Sequence, residues 1–243
     1  MTGPTPAAPS STPTLVLVHG AWHGSWCWSQ VVEQLDAHGR PSATVDLPSS
    51  GHDPAALGGL HDDVASVRAV LDGITGPKVL VGHSYGGLPV SAAAAGRDDV
   101  VGVVYVCAFV LDEGDTLLGA AGGEPPAFWV LSDDGASITA SDPVAVFYAD
   151  CDPAVAERAV ARLGHQSWSS VTTPLPPTAH RAVPTTYVVA DLDGALPAVV
   201  QEAMAEGRVD HVVHVDSAHS PFLSRPTELT RHLLDAVAGV AGA

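Results

Sequence analysis

The chain has 243 residues, 46% of them hydrophobic and 15% charged, with a formal net charge of −17. This length and composition fit one compact α/β domain with room for an insertion, and they exclude a disordered chain. Lys78 is the single lysine against 27 acidic residues; such a surface repels phosphate backbones and anionic lipid, which argues against nucleic-acid and membrane-surface roles.

Residues 1–13 are rich in Pro, Ala, Ser and Thr, without a basic start or an apolar stretch. A disordered tail is expected there rather than a signal peptide. Leu15-Val16-Leu17-Val18 is the first buried-strand run, followed by the loop His19-Gly20-Ala21-Trp22. Residues 26–38 read as a helix ending near Gly39, and Ser42 to Val45 as a second strand. Val64, Val67 and Leu71 carry helical spacing over 61–71. A strand over 78–82 leads into a sharp turn at Ser84 and a helix to about Ala95, interrupted in pattern by Pro89. Val100 to Phe109 is the longest β-rich run. Thr185–Val189 and Val212–Val215 complete six strands, with helices at about 196–206 and 227–237. Apolar strands alternating with helices predict a mostly parallel sheet covered on both faces.

The stretch 112–180 breaks this rhythm. It holds Phe128, Trp129, Phe147, Tyr148 and Trp168 among Gly/Pro clusters and short helical pieces such as 153–163. Its place between two core strands predicts a cap over the strand C-termini, where open α/β sheets place their ligands. The expected organisation is a core of 14–111 and 181–243 with a cap insertion at 112–180. Cys27, Cys107 and Cys151 have no metal or redox spacing, and so sparse a set fits a reducing compartment, hence a cytoplasmic protein. No segment approaches the ~20 apolar residues of a membrane span.

Ser84 is the centre of Gly82-His83-Ser84-Tyr85-Gly86, a G-x-S-x-G pentapeptide between a strand and a helix. That placement is the nucleophile elbow of α/β-hydrolases. A serine hydroxyl needs a base within hydrogen-bond reach and a third group to orient that base. In this fold they follow in the order serine, acid, histidine. His219 lies between the last strand and the last helix and is the candidate base. Asp191 and Asp193 both follow the strand at 185–189; Asp193 is favoured because it lies just before the turn into the next helix. Backbone N–H groups of Ala21 and Tyr85 are the candidate oxyanion donors. Trp22, Phe109, Phe128, Trp129, Trp168 and Phe222 are candidate pocket residues. His83 is expected to pack beneath the elbow and His19 to brace its loop. His211 and His214, three apart on a strand, face opposite ways and do not make a metal pair. No metal and no organic cofactor is expected.

The segment Leu17-Val18-His19-Gly20-Ala21-Trp22-His23-Gly24-Ser25-Trp26-Cys27-Trp28 resembles the opening of the plant methylesterase and hydroxynitrile lyase branch of the α/β-hydrolase superfamily, with its bacterial esterase relatives. Asp46-Leu47-Pro48, Val81-Gly82-His83-Ser84-Tyr85-Gly86-Gly87, Val106-Cys107-Ala108-Phe109-Val110 and the run Asp216 to Pro226 continue the likeness. It spans about residues 14 to 238 and is weakest in the cap. The resemblance implies an α/β-hydrolase fold, with serine, acid and histidine at Ser84, Asp193 and His219 and oxyanion amides at Ala21 and Tyr85. It strengthens Asp193 over Asp191. The hydroxynitrile lyases of this branch carry a threonine in the first loop and a lysine beside the histidine; Ala21 and Ser220 stand there instead, so nothing would stabilise a departing cyanide.

The expected function is therefore a cofactor-independent serine hydrolase acting on a carboxylic ester of small to medium apolar or aromatic character, through an acyl-enzyme. Two alternatives remain at this level. The same triad could perform cyclisation, lactone or C–C chemistry on a specialised metabolite, or the fold could serve as a non-catalytic binder of a small ligand. Apolar surfaces beside caps often pair, which leaves a homodimer open.

Overall fold

The computed structural model describes residues 12–241, so the tail expected at 1–13 lies outside the described residues apart from its last two. The first half of the chain forms β1 (Thr14–Val18), α1 (Ser29–Ala37), β2 (Ser42–Val45), β3 (Ser50–Gly51), α2 (Leu60–Asp72), β4 (Lys78–His83), α3 (Gly87–Ala94) and β5 (Val100–Val106). Next come α4 (Leu117–Ala120), β6 (Trp129–Leu131), β7 (Ser137–Ala140), α5 (Pro143–Phe147), α6 (Pro153–Val160), β8 (His165–Ser167) and α7 (Trp168–Thr172). The chain closes with β9 (Thr185–Ala190), α8 (Ala198–Ala205), β10 (His211–Val215), α9 (Pro221–Ser224) and α10 (Pro226–Ala241).

Six strands form the main sheet in the order β10-β9-β5-β4-β1-β2, and each of its pairings is parallel. The inner strands β1, β4, β5 and β9 read as largely apolar runs because both faces are covered, whereas the edge strands β2 and β10 carry half-buried or exposed polar residues. Successive side chains alternate between two cores. Val16, Leu80, Val103, Tyr105 and Tyr187 pack with Leu88 of α3 and Leu71 of α2 on one face. Leu15, Leu17, Val79, Val81 and Val104 pack with Leu35 of α1 and Leu233 of α10 on the other. Pro89 is the third residue of α3, inside the first turn, where its missing N–H costs no helical hydrogen bond. The β-rich run expected to reach Phe109 stops at Val106, because Cys107 turns the chain out of the sheet at φ 36°.

A second sheet, antiparallel and in the order β3-β8-β7-β6, was not apparent from the sequence. Three of its strands come from 112–180, and β3 comes from the loop after β2. Strands of two to four residues offer too few alternating positions to establish a period. All three cysteines carry free thiols. Among the described residues, no helix is long and apolar enough to cross a membrane.

Candidate active site

β4 ends at His83, and one 3-10 turn, Ser84–Gly86, leads directly into α3. Ser84 sits at φ 51°, a left-handed conformation that costs a non-glycine residue about 1–3 kcal/mol. So tight a turn requires a bare backbone beside it: a Cβ at Gly86 would stand 2.6 Å from the His19 carbonyl oxygen. The Phe109 N–H donates to the Ser84 carbonyl at 3.1 Å, which ties the elbow to the end of β5.

His219 reaches the elbow from the loop after β10. Its Nε2 lies 2.9 Å from Ser84 Oγ, and its Nδ1 lies 2.6 Å from Asp193 Oδ2. Asp193 can only accept, so Nδ1 carries the proton and Nε2 presents its lone pair to the serine hydroxyl. The carboxylate is fixed by further donors. Ala195 N–H and Leu196 N–H each donate to Oδ1 at 2.8 Å, and Gln201 Nε2 donates to Oδ2 at 3.1 Å. Asp191 is elsewhere: its carboxylate accepts from His214 Nδ1 at 2.7 Å in a pair with both side chains exposed. The two histidines His211 and His214 do not meet at a common site, and both are exposed on β10.

The Tyr85 amide is second in the 3-10 turn, so no helical carbonyl precedes it. The Ala21 amide meets no acceptor among the described residues. His19 braces this loop. Its Nδ1–H donates to the Gly20 carbonyl at 2.8 Å, and Leu47 N–H donates to its Nε2 at 3.0 Å. His23 Nδ1–H donates to the Ala21 carbonyl at 2.8 Å, and the Tyr148 hydroxyl donates to His23 Nε2 at 2.8 Å. Burial pushes His23 down to about 3, with its backbone hydrogen bond opposing. On the other side of the elbow, the Tyr85 hydroxyl donates to Asp63, whose Oδ1 also accepts from Ser49 N–H at 2.9 Å. Burial raises the Asp63 carboxyl to about 6.

His83 lies beneath the elbow, as expected. Its Nε2–H donates to the His219 carbonyl at 2.8 Å, and burial holds its pKa well below the ordinary histidine range. Cys107 Sγ approaches the same carbonyl at 3.5 Å. Among the described residues, the atoms of His83, Cys107 and His219 that could bind a metal lie within 4.8 Å of one another; hydrogen bonds already engage His83 Nε2, the Cys107 thiol and both His219 nitrogens, and His83 Nδ1 is buried without a partner.

A cavity of about 220 Å³ opens over Ser84 and His219. Ala21, Tyr85, Trp22, Phe109, Phe128 and Trp129 all line it. Two expected pocket residues do not. Phe222 is fully buried beneath the elbow, with its ring 4.8 Å from that of His83 and 5.2 Å from that of Trp28. It is a core residue, because α9 turns its side chain under the sheet's end rather than over it. Trp168 starts α7 and packs, half-buried, against the core without lining the cavity. The sequence reading missed Phe147, whose ring stacks on Trp22 at 5.5 Å and tilts against His219 at 5.8 Å. It also missed Leu117, Ala120 and Ala121 around α4, and Leu196, Pro197 and Val200 around the start of α8. Phe147 stood out as an aromatic of the cap stretch, but no local pattern distinguishes a wall residue from a packed one.

A parallel sheet carrying a Ser–His–Asp array at the carboxyl ends of its strands is the architecture of the α/β hydrolases. The chain belongs to the alpha/beta hydrolase family, whose model matches residues 15–232. It is 30% identical over 241 residues to the alpha/beta hydrolase nvfD of Aspergillus novofumigatus, with 92% of this chain and 96% of that protein covered. It is 26% identical over 247 residues to the pFDCC methylesterase MES16 of Arabidopsis thaliana, with 91% and 93% covered. Among solved structures, a pyrethroid hydrolase from Sphingobium faniae JZ-2 superposes with a TM-score of 0.81 at 25% identity, covering 95% of this chain and 99% of that one. These likenesses agree with the resemblance to plant methylesterases and bacterial esterases.

Proposed function

We propose that the protein is a serine hydrolase that cleaves a carboxylic ester of a small to medium apolar or aromatic substrate through an acyl-enzyme. The observation that carries this reading is the unbroken array Asp193–His219–Ser84, with contacts of 2.6 and 2.9 Å, opening into an apolar cavity. The names of the relatives, a methylesterase and a pyrethroid hydrolase, support ester hydrolysis. The intact array weighs against a non-catalytic binder.

In the first half-reaction Ser84 Oγ attacks the ester carbonyl carbon while His219 Nε2 takes the hydroxyl proton. Asp193 holds the imidazole in the required tautomer and stabilises its cation. The carbonyl oxygen becomes an oxyanion facing the Ala21 and Tyr85 amides, which are neutral dipoles already in place. As the intermediate collapses, the bond to the alcohol oxygen breaks and His219 returns the proton to it. A water molecule then enters, gives a proton to His219 and attacks the acyl carbon. The acid leaves as Ser84 regains its proton. Among the described residues, the cavity lining includes no Lys, Arg, Asp or Glu side chain, which favours uncharged substrates. An apolar cavity of about 150 Å³ accepts benzene, so about 220 Å³ suits a substituted ring or a short acyl chain.

The test is turnover of p-nitrophenyl acetate and butyrate by the native protein and by Ser84→Ala. Burst release of p-nitrophenol and its loss in the variant are expected. Undiminished turnover by purified, folded Ser84→Ala would reject the mechanism.

A further inference from the structure

The loop after β1 carries the Ala21 amide, and the next residue, Trp22, is held at φ 62°. A bulky side chain persists in that region only where its surroundings over-determine it. Here those surroundings come from 112–180, not from the sheet that carries the loop. The Trp22 N–H donates to Gln166 Oε1 at 3.3 Å, and Gly164 N–H donates to the Trp22 carbonyl at 2.8 Å. The Trp22 Nε1–H donates to the Ile138 carbonyl at 3.0 Å. These partners lie on β7, on β8 or at the residue before β8.

Gln166 is itself fully buried, and its amide is satisfied on both sides. Oε1 also accepts from the Ser50 hydroxyl of β3, and Nε2 donates to Ser49 Oγ at 2.9 Å and to Ser170 Oγ at 2.6 Å. β8 is held against β3 so closely that a Cβ at Gly164 would stand 2.6 Å from the Gly51 carbonyl oxygen. The strand is therefore held between β3 and β7, while the Gln166 side chain and the Gly164 amide grip the strained loop. Gln166 does not line the cavity.

From this arrangement we infer that β8 is a clamp on the oxyanion loop, and that Gln166 is a positioning residue that aims the Ala21 amide by holding the Trp22 backbone. The inference rests on the reading of Ala21 as an oxyanion donor. It makes the small sheet a fixed part of the catalytic apparatus rather than a lid, because the donor keeps its direction only while β8 is docked. Loss of the Gln166 amide lets the Trp22 backbone relax, and the amide before it turns away from the oxygen it should meet.

Gln166→Met keeps the bulk and removes the amide's side-chain hydrogen bonds while leaving the β8 backbone pairings. Deleting an oxyanion donor costs about a hundred- to a thousandfold in kcat, and misaiming one should cost less. The expected result is a kcat for p-nitrophenyl butyrate lowered about ten- to a hundredfold, with KM within about twofold of native. Affinity for an aryl trifluoromethyl ketone, whose adduct oxygen occupies the oxyanion position, should weaken by the same factor as kcat/KM. Residues with only a structural role would lower the melting temperature without that parallel. Gly164→Ala, which keeps all side chains of the network but pushes β8 off its seat, should move the same two quantities together. If Gln166→Met does not fold, Gly164→Ala decides by the same readout. Folded variants with native kcat and native inhibitor affinity would overturn the clamp. If Ser84→Ala also kept native turnover, the ester-hydrolase reading would fall instead, so the two failures are separable.

Discussion

Asp191 and Asp193 show how far two identical side chains diverge over two positions. Asp191 pairs with His214 on an exposed strand edge, whereas Asp193 is buried and accepts from His219, two backbone amides and Gln201. The four donors hold one carboxylate orientation, and that orientation sets the imidazole. Asp193→Asn leaves the loop packed but presents the wrong partner to Nδ1. It is expected to lower kcat by about a thousand- to ten-thousandfold, while Asp191→Asn stays within about twofold. Steady-state kinetics on p-nitrophenyl butyrate, with circular dichroism to check folding, measure both. Equal losses in the two variants would contradict the assignment of the acid. At this scale most of the site was legible in the sequence. Ser84 and His219 announce themselves by motif and chain order. Phe222 did not: its place near the site suggested a pocket wall, but the α9 turn directs it under the elbow.

At the scale of elements, the inner strands of the main sheet were legible because burial on both faces writes a largely apolar run into each, and the edge strands β2 and β10 by their β-branched residues. The β3-β8-β7-β6 sheet was not, because two of its pairings join Ser50 to Gln166 and Ile138 to Gln166 across long stretches of chain, and its one local hairpin, β6-β7, has strands too short to show a period. α4 is another element visible only in three dimensions. It has one turn, and its significance is that Leu117, Ala120 and Ala121 line the cavity. The alanines leave room there. Ala121→Phe should therefore shorten the accepted chain, lowering kcat/KM for p-nitrophenyl butyrate at least about tenfold relative to the acetate, since a methylene in such a pocket is worth about 1–3 kcal/mol. An unchanged butyrate-to-acetate ratio would show that the acyl chain lies elsewhere.

For the whole molecule, the buried ionisable groups set how stability responds to acid. Burial lowers His19, His23 and His83, and brings His23 to about 3. The unfolded chain would bind protons on these residues below about pH 6.5 while the native state resists. Their contribution to stability is thus complete above the ordinary histidine range and is lost as pH falls toward 3. Asp63 acts in the opposite sense, because its raised pKa of about 6 means the native state takes up a proton that the unfolded carboxylate releases down to its ordinary 3.8. His23 alone represents about 5 kcal/mol at the acid end against about 3 kcal/mol for Asp63, and two further histidines add to the first side. The histidines win. Melting temperature should drop between about pH 7.5 and about pH 5. His23→Phe should flatten that drop and Asp63→Asn should steepen it, as calorimetry across the range would record. A drop unaltered in His23→Phe would show that the residue is solvated in the native state.

What the amino-acid order determined alone is local: apolar runs that must be buried on two faces, a small-residue turn that can force Ser84 to positive φ, and the succession of serine, acid and histidine behind three strand ends. These follow from backbone sterics and from the side-chain period, which act over a few residues. Only the tertiary structure decided which aspartate meets His219, which aromatics face the cavity, and that Gln166 grips Trp22 from 144 positions away. Such choices depend on the direction in which each side chain leaves its element and on which distant backbone stands opposite it, and neither is encoded in any short window of sequence.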